Sequence, residues 1–223
     1  MKFLLTSSGV CNPSISGALV DLLGKPIADS TALCIPTAQY GHPWVGPGVK
    51  VWQFISGNSD LPMVGLGWRS VGVLELTALP SIPEEQWVTL VAATDVLLVG
   101  GGDALYLCHW MQQSGLADLL PSLNDTVYMG LSAGSMVMTP RIGEDFVYWR
   151  PPAGGDATLG FVDFSIFPHV DHEDLPDNTM ANAERWAAEI AGPAYAIDDE
   201  TAIQVTDGVV EVVSEGHWKL LTP

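Results

Sequence analysis

Two kinds of hydrophobic pattern alternate along the chain. Short runs that are apolar nearly throughout occupy residues 2–6, 31–36, 96–99 and 126–131. A run of this length bounded by turn formers reads as a strand buried on both faces. Between the runs, apolar positions recur every three or four residues, the spacing of an amphipathic helix. Asn12-Pro13 supplies an N-cap and a first helical residue for a helix that ends near Gly24. Further helices are predicted over 49–56, from Ser81 to about Ala93, over 103–113 with Gly115 as the stop, in a short stretch before the 126–131 strand, and over 178–191. Ser81 and Glu84 have capping-box spacing, with Pro83 in the first turn.

The remaining segments extend the pattern. Residues 37–48 form a loop punctuated by Gly and Pro, and 71–77 and 161–167 alternate as strands. Residues 195–197 and 201–205 are short strands, and Asp207-Gly208 turns tightly into 209–213, which predicts a C-terminal antiparallel hairpin. Strands that alternate with helices predict an α/β fold, a parallel sheet covered on both faces, with ligands beyond the C-terminal ends of the strands.

Composition narrows this picture. A chain of 223 residues suits a single domain, 1–223, and 48% hydrophobic residues with a mean hydropathy of +0.26 fit a packed globule. The 8 Lys and Arg against 26 Asp and Glu give a formal charge of -18, which argues against nucleic acid and anionic membrane surfaces as electrostatic partners. Cys11, Cys34 and Cys108 are odd in number and lack metal-ligand spacing, so reduced and mostly buried thiols are expected. The first ten residues are too short for a signal sequence and no stretch approaches a membrane span, so a cytoplasmic protein is expected.

The candidate chemistry centres on Gly130-Leu131-Ser132-Ala133-Gly134, where an apolar run meets small residues that open a helix. On a sharp strand-to-helix turn the serine hydroxyl is pushed outward, and the flanking glycines avoid clashes with neighbouring backbone. The amide of Ala133 then faces an oxygen that develops negative charge beside Ser132. Taken alone the pattern also fits a flexible turn. A nucleophilic serine needs a base and a carboxylate. Of the five histidines, His169 follows the 161–167 strand and is best placed. His42 lies in a loop, His109 in a helix, His217 near the C-terminal hairpin, and His172 in an acidic loop where a solvated ring is expected. The acidic cluster Asp198-Asp199-Glu200 lies between two short strands and supplies the acid. The order serine, histidine, acid differs from the serine, acid, histidine of α/β-hydrolases.

At these residues the chain resembles the peptidase E family, serine peptidases that include aspartyl dipeptidase and cyanophycinase. The resemblance rests on Gly100-Gly101-Gly102-Asp103, Gly130-Leu131-Ser132-Ala133-Gly134-Ser135, Pro168-His169, and Ile197-Asp198-Asp199-Glu200-Thr201-Ala202. It implies a three-layer sandwich akin to class I glutamine amidotransferases, no metal or organic cofactor, and a homodimer. It also implies catalytic roles for Ser132, His169 and Asp199, with Glu200 as the alternative acid, and an oxyanion hole from Ala133 with Gly102 or Gly101. Asp103 stands where aspartyl dipeptidase has asparagine, close to the scissile bond. Met180 aligns with the arginine that holds an aspartate side chain in that enzyme.

The resulting expectation is a serine peptidase acting on small peptides, dipeptidase-like or exopeptidase-like, through an acyl-enzyme. Strict preference for an N-terminal aspartate is expected to be weakened, with the acidic tract 172–180 holding an amine or a basic side chain, or with Arg69, Arg141 or Arg150 supplying a cation from elsewhere. The alternatives are a non-catalytic binding relative and an esterase or amidase on the same fold.

Overall fold

The computed structural model describes residues 1–43 and 48–222. Its strands are β1 Lys2–Thr6, β2 Thr31–Ile35, β3 Ser70–Val73, β4 Val96–Val99, β5 Val127–Leu131, β6 Ser165–Phe167, β7 Ala194–Ile197, β8 Thr201–Thr206, β9 Val209–Ser214 and β10 Trp218–Leu221. Its helices are α1 Pro13–Leu23, α2 Ala38–Gly41, α3 Val49–Ile55, α4 Glu84–Ala92, α5 Ala104–Gln113, α6 Leu116–Leu119, α7 Ala133–Met136 and α8 Met180–Ile190.

Seven of the described strands form the central sheet, in the order β3-β2-β4-β5-β1-β8-β9. The first five of these are parallel, and β8 and β9 are antiparallel additions on the β1 side. The apolar runs become two-sided strands by simple alternation. Leu97 and Val99 of β4 and Tyr128 of β5 join the core under α4 and α5, while Val96, Leu98, Val127, Met129 and Leu131 join the core under α1 and α3. This is the expected α/β sandwich, and its central strands are uniformly apolar because both faces are covered. Asp207 and Gly208 both take positive φ, 52° and 78°, as the two-residue turn between β8 and β9 requires.

A feature the hydrophobic pattern does not reveal is a second sheet, β10-β7-β6, built over α8. In it β6 and β7 are parallel and β10 is antiparallel to β7. The strand expected over 161–167 accordingly shrinks to Ser165–Phe167, because the amides of Phe161 and Val162 donate to the Met138 carbonyl instead of a ladder. The strand expected over 71–77 ends at Val73, since Leu76 donates its amide to the Thr37 hydroxyl and Leu76–Ser81 coils into a tight 3-10 turn. The capping box also fails. The Ser81 hydroxyl donates back to the Ala78 carbonyl at 2.7 Å, so α4 starts at Glu84 with no side-chain cap. Within the loop expected over 37–48, Ala38–Gly41 is helical, and residues 44–47 lie outside the described residues.

Connectivity explains where the site falls. β1, β2, β4 and β5 are parallel, so Ser7, Pro36, Gly100 and Ser132 all emerge at one edge of the central sheet. β8 is antiparallel to β1, with Ala202 opposite Thr6, so the turn 198–200 that enters β8 lies at that same edge. β7 ends where this turn begins, and β6 runs parallel beside β7 with Phe167 opposite Ala196, which carries His169 to the turn. No described helix is long and apolar enough to cross a membrane.

Candidate active site

Ser132 sits between β5 and α7 with φ 50° and ψ -111°, a positive φ that a non-glycine residue holds only under constraint. The constraint is visible. The Ser132 amide donates to the Thr6 carbonyl at 3.0 Å, and its carbonyl accepts the amides of Ser135 and Met136 at 2.8 and 2.9 Å. The Ser135 hydroxyl also donates to the Thr6 carbonyl, the Thr6 hydroxyl to Gly130, and the Tyr128 hydroxyl to Gly134. A Cβ at Gly134 would run into the Val99 carbonyl, and one at Gly130 into the Gly134 carbonyl. The turn closes only with glycine at both places.

The Gly100–Gly102 loop lies against this turn. The Gly100 amide donates to the Ile35 carbonyl and the Asp103 amide to the Ala38 carbonyl, which leaves the amides of Gly101 and Gly102 between them. A Cβ on Gly101 would come within 3.4 Å of the Ser132 Cβ, and Gly102 needs its freedom because it holds φ 138° against the Ala38 carbonyl. Ala133 begins α7, so its amide is among the helix donors without an intrahelical partner.

His169 approaches from β6. Its amide donates to the Ser7 hydroxyl at 2.7 Å and its φ is 57°, which turns the ring toward the central sheet. Its Nδ1 lies 2.6 Å from the Asp199 Oδ1, and Ser8 Oγ is 3.4 Å from the same nitrogen. Burial works to raise the Asp199 pKa, but the His169 hydrogen bond and charge, with the hydroxyls of Ser8 and Ser7, outweigh it and hold the carboxyl at about 2. An ionised carboxylate accepts, so the His169 ring carries its proton on Nδ1 and leaves Nε2 as an acceptor. Ser132 and His169 line the same two cavities, one of about 220 Å³ and one of about 400 Å³.

The three carboxylates at the β7–β8 turn divide their work. Asp199 alone faces His169. Asp198 is buried and accepts from the Glu200 amide, the Thr201 hydroxyl and the His217 amide, so it holds the turn together. Glu200 is exposed. His172, expected to be a solvated ring, points its Nε2 at the second oxygen of Asp199 from 3.4 Å. Its Nδ1 accepts the Asp174 amide, which puts the proton on Nε2, toward the carboxylate. The sequence signal for this was the three-residue spacing from His169, which a tight loop with positive φ at His169 and Asp171 folds onto one carboxylate.

Asp103 and Met180 stand apart from this group. Asp103 is 1% exposed, and its two oxygens accept the amides of Tyr106 and Trp149, capping α5 and pinning the 149 segment. Burial raises its pKa. Met180 opens α8 and packs on the core of the small sheet. Neither residue lines either cavity. Arg141 is engaged by both oxygens of Asp156, Arg150 lies 3.7 Å from Glu144, and Arg69 lines neither cavity. Cys34 and Cys108 are buried as expected, whereas Cys11 is exposed and its thiol donates to the Asp199 carbonyl at 2.6 Å. No group of three or more potential metal ligands occurs among the described residues.

Comparison with known proteins agrees with the fold and places the chain. A candidate peptidase E protein from Listeria monocytogenes EGD-e superposes with a TM-score of 0.68 at 19% identity, covering 96% of this chain and 98% of that one. A peptidase from an acI-B1 Actinobacterium superposes with a TM-score of 0.67 at 20% identity, covering 99% of this chain and 90% of that one. At these identities the likeness is one of fold. No match was found among curated protein sequences. The sequence itself matches peptidase family S51 over residues 3–213. With that match running over nearly its whole length, the chain belongs to peptidase family S51 and is a serine-type peptidase.

Proposed function

We propose that the protein hydrolyses small peptides through Ser132, His169 and Asp199 by way of an acyl-enzyme, with dipeptidase-like or exopeptidase-like action. The observation that supports this most is the 2.6 Å contact between His169 Nδ1 and an ionised Asp199, made by a ring that shares two cavity walls with Ser132. Ser132 Oγ attacks the scissile carbonyl as His169 Nε2 takes its proton. The oxygen that becomes negative is met by the Ala133 amide and by that of Gly102 or Gly101, each worth about 3 kcal/mol in the transition state. The tetrahedral species collapses, the C–N bond breaks, and His169 returns the proton to the leaving amine. Water then adds to the acyl carbon, His169 takes a proton from it, and Ser132 leaves with that proton restored. Asp199 holds the imidazole in the required tautomer and offsets its charge.

No arginine follows His169 before Arg185, and Met180 occupies the aligned position, which favours relaxed over strict recognition of an N-terminal aspartate. A fluorophosphonate probe should label the wild-type chain and not Ser132→Ala, and a peptide-library digest read by mass spectrometry should yield products from short peptides with the wild type alone. An unlabelled wild type would overturn the reading.

A further inference from the structure

The two cavities that meet at Ser132 differ in chemistry. The walls of the smaller one, about 220 Å³, come from Ala104, Met136, Phe146, Tyr148, Pro168 and Leu175. Its polar side chains apart from Ser132 and His169 are His42, Asn178 and the hydroxyl end of Tyr148. His42 packs against Tyr148 with ring centroids 5.2 Å apart and ring planes tilted by 60°, and burial disfavours its charged form. Asn178 already donates its amide to the Pro168 carbonyl. The larger cavity, about 400 Å³, carries Gln39, Lys50, Gln53, Ser59 and Asp60.

Cations decide what each cavity can hold. Among the described residues Lys50 is the one Lys or Arg that lines either cavity, and residues 44–47 and 223 contain neither. Arg185 lines a neighbouring hollow with Asp145 and Asp177, one that shares Phe146, Tyr148 and Asn178 with the smaller cavity, and does not line the smaller cavity itself. A carboxylate side chain in the smaller cavity would lose water and meet no Lys or Arg, and burial works against a charge on His42. A basic side chain fares no better. The acidic tract after His169 turns Leu175 and Asn178 into the wall, and Glu173, Asp174 and Asp177 line neither of the two cavities. An uncharged side chain fits: a dry apolar cavity of about 150 Å³ accommodates a benzene ring.

Resting on the peptidase reading above, we propose that the smaller cavity is a specificity pocket for an apolar side chain of the Leu, Met or Phe class on the acyl residue. The leaving residue occupies the larger cavity. The leaving half of a dipeptide carries the free α-carboxylate, and Lys50 is the cation available to it, which fixes the assignment of the two sides.

The test is a panel of dipeptides with a common leaving residue and Leu, Met, Phe, Asp or Lys at the acyl position, run beside fluorophosphonate labelling of the same preparation. The pocket predicts kcat/KM for Leu, Met and Phe at least about 10-fold above Asp and Lys. Leu175→Arg should raise the Asp-to-Leu ratio by about 10-fold or more while labelling persists. Lys50→Ala should weaken cleavage of the free dipeptide more than cleavage of its C-terminal amide. Absent labelling of the wild type overturns the peptidase reading itself. Labelling with a preference for Asp or Lys, or with no cleavage of the Leu, Met and Phe dipeptides, overturns the pocket alone. Should Leu175→Arg lose labelling through misfolding, the wild-type panel and Lys50→Ala still decide.

Discussion

At the residue scale the site is a set of hydrogen-bond assignments around one carboxylate. Asp199 takes His169 on one oxygen and faces His172 with the other, so both imidazoles contribute to its position. Asp199→Asn should lower kcat/KM on the order of 10³–10⁴-fold, because an amide permits the wrong tautomer of His169. His172→Phe should cost less than about tenfold, the loss expected for a hydrogen bond to a charged group, because its Nε2 stands 3.4 Å from the carboxylate, and His172→Gln should recover part of it. Stability carries a pH signature with a definite sign. The folded pKa of Asp199, about 2, lies below the ordinary 3.8, so its contribution is complete above pH 3.8 and is lost as the pH falls through about 2. Urea unfolding across this window should show a smaller acid loss for Asp199→Asn than for wild type. The sharp strand-to-helix turn at Ser132 was legible in five residues. The partnership of His172 was not, since it depends on positive φ at His169 and Asp171, neither of which is a glycine.

At the element scale the decisive feature is the β5–α7 turn, where backbones approach so closely that side chains are excluded. Gly134→Ala pushes a Cβ into the Val99 carbonyl and should cost about 1–3 kcal/mol or more, the range for overpacked cores, together with loss of Ser132 labelling. Gly17→Ala is the matched control. Gly17 lies in α1 with no atom within 4 Å of its added Cβ, so this change should stabilise by about 0.5–1 kcal/mol. Urea denaturation of both variants separates a steric requirement from a general dislike of substitution. Most elements were readable because their signals are local, as at Asn12, Pro13 and Gly24 around α1. The failures were also physical. Ser81 has the right spacing for a cap, yet its hydroxyl is taken by the Ala78 carbonyl, and the amides of Phe161 and Val162 are claimed by the Met138 carbonyl.

At the scale of the whole molecule, a charge of -18 surrounds a cleft whose smaller cavity lacks Lys and Arg among the described residues. The field should repel acidic peptides at low salt, so kcat/KM for an acidic peptide should rise with ionic strength up to about 0.1 M, where the screening length is about 10 Å. A neutral peptide should show no such slope, and steady-state kinetics in a salt series would reveal a common slope if the field were irrelevant. Charge and patterning are sums over the chain, which is why composition alone argues against nucleic acid as an electrostatic partner and why alternating periods gave the sandwich. The sequence by itself determined the parallel core and the glycine-flanked turn at Ser132, because each follows from neighbours a few residues apart. Tertiary structure alone decided that a second sheet delivers His169, that Asp199 faces the ring while Asp198 holds the turn, that Asp103 is spent on two backbone amides, and that an acidic tract presents a leucine to the cavity. Those outcomes depend on which distant groups compete for the same hydrogen bond or the same space, and no local pattern records that competition.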